Sequence, residues 1–89
     1  MKVGKLVIRA ETFKENKVFV SLSPELGVSS FGKTASEAKK SLKEAVLLFL
    51  EECQRMGTLR EVLKESGFKV KGQSWLPPKP LVERLVVGM

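Results

Sequence analysis

The amino-acid sequence predicts an α+β domain of two layers, an antiparallel sheet of three to four strands packed on one long helix, in the order β-β-β-α-(short α)-β. Three observations predict it. The first third of the chain mixes β-branched and polar residues between turn-forming clusters. The middle carries a capped run with apolar residues three and four positions apart. At 89 residues there is room for only one core, so sheet and helix must bury each other's apolar faces.

The first strand is expected over 6–13, Leu-Val-Ile-Arg-Ala-Glu-Thr-Phe, with Lys14-Glu15-Asn16-Lys17 turning the chain. Val18 to Leu22 resumes as a second strand and must stop before Pro24, which has no amide to donate to a ladder. Gly27 and Gly32 bracket a short third strand, Val28-Ser29-Ser30-Phe31. Such short links make the three strands an antiparallel meander.

Thr34-Ala35-Ser36-Glu37 fits a capping box, in which the Thr34 hydroxyl accepts from the Glu37 amide and the Glu37 carboxylate reaches back to the Thr34 amide. The helix that follows is expected to end near Met56, with Gly57 as its left-handed C-terminal residue. Its core stripe is Ala38, Leu42, Ala45, Val46, Phe49 and Cys53. Thr58-Leu59-Arg60-Glu61 repeats the box and opens a second helix over about 59–66 that stops at Gly67. Phe68 to Lys71 suits a strand. Residues 73–80 hold Trp75 and three of the four prolines and read as an extended connector, and 81–87 read as a last strand. All of this is one domain: residues 1–72 form the β-β-β-α-α core, and 73–89 add the Pro-rich connector and a C-terminal strand.

The absent residues narrow the chemistry. The chain has no His, no Asp and no Tyr, and a single cysteine, Cys53. Without His, Ser-His-Asp and Cys-His catalysis cannot be assembled, and the commonest nitrogen ligand for metals is missing. Ten Glu spread along the chain offer no convergent set for two-metal chemistry. One cysteine forms no internal disulfide and no CxxC motif, and its place on the helix stripe suits a small buried hydrophobe. The expectation is a non-enzymatic module with no cofactor and no metal. The longest apolar run, Ala45 to Leu50, is six residues, too short to span a membrane. The start, Met1-Lys2-Val3-Gly4-Lys5, is interrupted by charge too often for a signal peptide, so a cytoplasmic location is expected.

The net charge of +6 comes from 16 Lys and Arg against 10 Glu. The excess is split between the N- and C-terminal thirds and is unaccompanied by an Arg cluster or stacking aromatics. A solvated Lys/Glu surface, with few thermolabile amides as in heat-tolerant proteins, accounts for it. An RNA- or DNA-binding face is the alternative.

The central helix has more apolar residues than one sheet can cover. At 100° per residue from Leu42, Leu50 falls at about 80°, Leu47 at about 140° and Leu48 at about 240°, so the last two point away from the sheet. They are either scattered surface residues or part of an interface with another protein. Leu47, Leu48 and Leu50 on the helix, with Trp75, Pro77 and Pro78 in the connector, are the expected contacts for self-association (a dimer or tetramer) or for a partner. Trp75 has a second reading as a cap on the domain's own core. A sheet edge is a further candidate surface.

The stretch from Val18 to Glu52 resembles the HicB antitoxin family. The resemblance rests on Pro24, Glu25, Leu26, Gly27, Ser30, Gly32, Thr34, Glu37 and Ala38, followed by Lys43-Glu44-Ala45 in an amphipathic helix. The family pattern usually has Pro before the Gly, where this chain has Leu26. The resemblance implies a partial ribonuclease-H-like fold and a partner, a HicA-type RNA-cleaving toxin that the domain would sequester. Many such antitoxins carry a C-terminal DNA-binding domain, and nothing after Leu81 reads as one. In active ribonuclease-H-like enzymes several carboxylates surround divalent cations. Here the expected strand acid is Glu11 alone, which implies a fold kept without its metals.

Overall fold

A computed structural model describes residues 4–89; Met1 to Val3 of the charge-interrupted start lie outside the described residues. The elements are β1 (Lys5–Leu6), β2 (Glu11–Glu15), β3 (Val18–Ser23), β4 (Val28–Gly32), α1 (Ala35–Met56), α2 (Leu59–Glu65), β5 (Lys69–Lys71) and β6 (Ser74–Leu76). The class is α+β, with a sheet packed on a long helix, as the sequence predicts. The described strands form two sheets: an antiparallel meander β2-β3-β4, and a second sheet in the order β1-β6-β5.

The expected first strand divides between the two sheets. Its start joins the second, where Lys5 N donates to Gln73 O at 3.1 Å and Val7 N donates to Trp75 O at 3.0 Å, with β1 parallel to β6. Its end joins the meander, where Glu11 faces Leu22 and Glu15 faces Val18. Arg9 lies in the break and is held by side chains on both flanks. Its Nε and Nη2 donate to Glu25 Oε2 at 3.0 and 2.8 Å, and its Nη1 donates to Glu11 Oε2 at 3.3 Å. The β2–β3 turn is closed by Asn16 at φ 57°, a left-handed conformation that Asn tolerates better than most residues.

Both predicted caps on α1 form, with one change of partner. Glu37 N donates to Thr34 Oγ1 at 3.0 Å, but the Glu37 carboxylate accepts from Lys33 N at 2.9 Å rather than from Thr34. At the other end Gly57 is left-handed at φ 75°, and the amides of Gly57 and Thr58 close onto Gln54 O and Cys53 O. The second capping box does not form. The Thr58 hydroxyl donates to Cys53 O at 3.3 Å, so this residue finishes α1 instead of capping α2. Two helices separated by two residues compete for one side chain, and the open carbonyls of the first win it.

The register places the meander's residues in two sets. Phe19 faces Gly32, Ser21 faces Thr12 and Ser30, and Ser23 faces Val28. This face meets α1: Ser21, Ser23 and Ala38 are buried, and a Cβ built on Gly32 would lie 2.7 Å from Ala38 N. Small side chains let the helix sit close, and Thr12 Oγ1 and Ser21 Oγ share a hydrogen bond at 2.9 Å. Of the predicted stripe, Ala38, Leu42, Val46 and Cys53 are buried, while Ala45 and Phe49 are partly covered.

The second half of the core is built at the C-terminal end of α1. Cys53, Leu59, Leu63, Phe68 and Trp75 form one buried cluster, with Leu6, Ile8, Leu26 and Leu50 packed around it. Two expectations are corrected here. The connector over 73–80 contains β6, which turns back from β5 through Gly72 at φ 64° and lies between β1 and β5. The last strand expected over 81–87 does not form, and all of 79–89 is exposed without regular structure. Pro77, Pro78 and Pro80 have no amides to donate, so the ladder stops at Leu76 and the residues beyond lie beside no strand.

Candidate protein-contact surfaces

The outer face of the meander inverts the usual arrangement of a half-solvated sheet. Where polar residues are expected outside, Phe13 pairs directly with Val20 and Val20 with Phe31 across the three strands. Phe31 is 68% exposed and Phe13 44%. Val18 is exposed beside them and Leu22 is partly so. The small residues needed for close helix packing occupy the inner face, which leaves the large ones outside.

The second surface runs along α1. Leu47 and Leu48 are exposed, as their helical angle predicts. Leu50 is partly covered and packs against the buried cluster. Leu47 and Leu50 line an open, mainly apolar groove of about 890 Å³ between α1 and the segment Gly4–Ala10, floored by Leu42, Val46, Leu59 and Leu63. Leu48 is not among its lining residues.

The connector residues behave differently from one another. Trp75 is 5% exposed and belongs to the core, with the Arg60 guanidinium 5.9 Å from its ring centroid. It caps the domain's own core, the second of its two expected readings. Pro77 and Pro78 are half-buried, and Pro78 packs over the left-handed Gly67.

Glu11, the strand acid expected from the sequence, is engaged with Arg9. Glu25 is the more enclosed carboxylate: its Oε2 takes two donors from Arg9, and its buried Oε1 has no hydrogen-bond partner. The hydrogen bond to Glu25, aided by its charge, holds the Arg9 guanidinium above its ordinary pKa. Among the described residues no three His, Cys, Asp or Glu side chains come together as a metal site, and no helix is long and apolar enough to cross a membrane.

The chain matches no family model, no curated protein and no solved structure.

The sequence reading found the helix leucines but missed the Phe13–Val20–Phe31 row. Each phenylalanine looks like an ordinary inward-facing strand residue when its strand is read alone. The available signal was the serine set, Ser21, Ser23 and Ser30, which shares the opposite strand parity and could be placed only once register was known.

Proposed function

We propose that this chain is a non-enzymatic protein-binding module, a HicB-like antitoxin that sequesters a HicA-type RNA-cleaving toxin in the cytoplasm. The observation that carries the reading is the apolar row Phe13–Val20–Phe31 on the outer sheet face. A monomeric domain gains nothing from aromatic side chains in water, and such a patch marks a contact surface. The resemblance over Val18 to Glu52 supplies the partner's identity, and the meander with its capped helix agrees with the partial ribonuclease-H-like fold that it implies. The net charge of +6 gives no attraction to a basic toxin, so docking is apolar rather than steered by charge. The same reading expects the chain to associate with itself.

The test is inhibition of a HicA-type toxin in an RNA-cleavage assay by wild type and by Phe31→Asp. Wild type should inhibit at stoichiometric amounts and Phe31→Asp should not, with only a weak effect of salt. Inhibition that Phe31→Asp retains would remove the sheet face from the interface. RNA binding by the module alone, falling steeply with ionic strength, would favour the nucleic-acid alternative.

A further inference from the structure

We propose that the C-terminal segment Leu81–Val87 of one copy is the ligand of the groove on a second copy, entering as a strand beside β1. The inference rests on the expectation of self-association and on nothing about the toxin.

The segment is built to be covered. Leu81, Val82, Leu85, Val86 and Val87 are all exposed, Val86 at 98%. Its composition suits a strand, and what it lacks is a neighbour. The Cα radius of gyration, 14.9 Å, exceeds the roughly 12 Å of a compact chain this long, as expected when one segment stands clear of the globule. Pro77, Pro78 and Pro80 precede it, and a proline-rich spacer is extended and stiff, which favours reaching out over folding back.

The groove supplies the missing neighbour. β1 is an edge strand of its sheet. Lys5 and Val7 turn their amides to β6, so by strand alternation the intervening Leu6 presents its amide and carbonyl at the open edge. The groove beside this segment is lined by Leu42, Val46, Leu47 and Leu50 of α1. An added strand would gain main-chain hydrogen bonds from β1 and apolar contact from the helix, the two components of recognition by strand addition.

The groove carries charge of both signs. Lys39 and Lys43 stand on the groove wall toward the N-terminal half of α1, and Glu51 stands about two turns further on. The segment carries Glu83 followed by Arg84. Consecutive strand residues point to opposite faces, so one of the two turns to the groove wall, where Glu83 finds the lysines or Arg84 finds Glu51. Two copies exchanging tails make two identical contacts and close the assembly as a dimer.

The experiment measures mass by light scattering over a dilution series for wild type and three variants: Leu81→Asp/Leu85→Asp in the tail, Leu47→Asp in the groove and Leu48→Glu outside it. All three replace exposed side chains, and circular dichroism verifies that each stays folded. Wild type and Leu48→Glu should show twice the 9.9 kDa chain mass. The tail and groove variants should each be monomeric. Mixed together they should recover a dimer, because one intact tail then meets one intact groove.

A wild-type dimer that survives the tail substitutions overturns the tail as ligand while leaving self-association standing. So does loss of the dimer in Leu48→Glu, or failure of the two variants to complement. A monomeric wild type overturns both, including one whose tail amides are protected from exchange, which would mean docking on its own groove.

Discussion

Gly32→Ala tests how closely the meander and α1 approach. A Cβ at this position would lie 2.7 Å from Ala38 N, 2.7 Å from Glu37 Cβ and 2.9 Å from Glu37 C. Ordinary contacts between such atoms lie near 3.5–4.0 Å, so the methyl intrudes by about 1 Å. Two of the three atoms are backbone, and Ala38 is fully buried. The overlap can be relieved only by lifting the first turn of α1 away from β4. Overpacking of this kind costs about 1–3 kcal/mol. The smaller conformational entropy of alanine in the unfolded chain offsets about 0.4–1 kcal/mol of that. The net is a loss of roughly 1–2 kcal/mol, a fall in Tm of about 4–16 °C for a domain of this size.

The informative control is Gly27, which is left-handed at φ 69° with open space around its would-be Cβ. There the cost is conformational, so Gly27→Asn should be milder than Gly27→Ala, since Asn tolerates that region. At Gly32 the cost is volume, and the order reverses: Gly32→Asn should be worse than Gly32→Ala. Thermal unfolding followed by circular dichroism measures all four variants. A Gly32→Ala protein that melts with wild type, or a Gly32→Asn protein milder than Gly32→Ala, refutes the steric account.

The two threonines ahead of the helices should separate in the same assay. Thr34→Ala removes a formed cap and should cost about 1 kcal/mol, whereas Thr58→Ala loses only a long bond to Cys53 O and should cost less. Trp75→Ala should destabilise by about 3–5 kcal/mol in chemical denaturation, the cost of a core aromatic, while Leu48→Glu should stay within about 0.5 kcal/mol of wild type. Arg9→Ala should destabilise more than Glu11→Ala, because it strands the enclosed Glu25 carboxylate, whereas Glu11 is exposed. With the Arg9 pKa raised by Glu25, this pair's contribution is present below the ordinary arginine range and is lost only as pH rises through the folded value. A base titration through neutral pH should therefore leave it unchanged.

What could be read in the sequence was what local chemistry decides. Gly57 and Gly67 stop their helices, Pro24 ends β3 and Thr34 opens α1, each through its own backbone or side chain. What could not be read depends on neighbours distant in the chain. Lys5 and Leu6 leave the meander for β6, some seventy residues on. Trp75 becomes the partner of Val70 across a hairpin despite the prolines after it. Val82, Val86 and Val87 have strand chemistry, but intrinsic preference makes no strand without an edge to join. The candidate surfaces divide in the same way. Helical spacing placed Leu47 and Leu48 outside, because one helix fixes its own faces, whereas the aromatic row needed three strands in register.

The 22 residues of α1, about 33 Å of helix, carry the meander on the N-terminal half and the Trp75 cluster on the C-terminal half. Between the two sheets the backbone crosses only at residues 7–10 and through this helix. It works as a keel: the meander reaches the far cluster directly at Leu26, and the helix ties the rest of the two halves together. Melting should consequently be all-or-none only while the keel is intact. A break near its middle, for instance a proline at Ala45, should uncouple amide exchange in the two halves and let one open while the other stays closed.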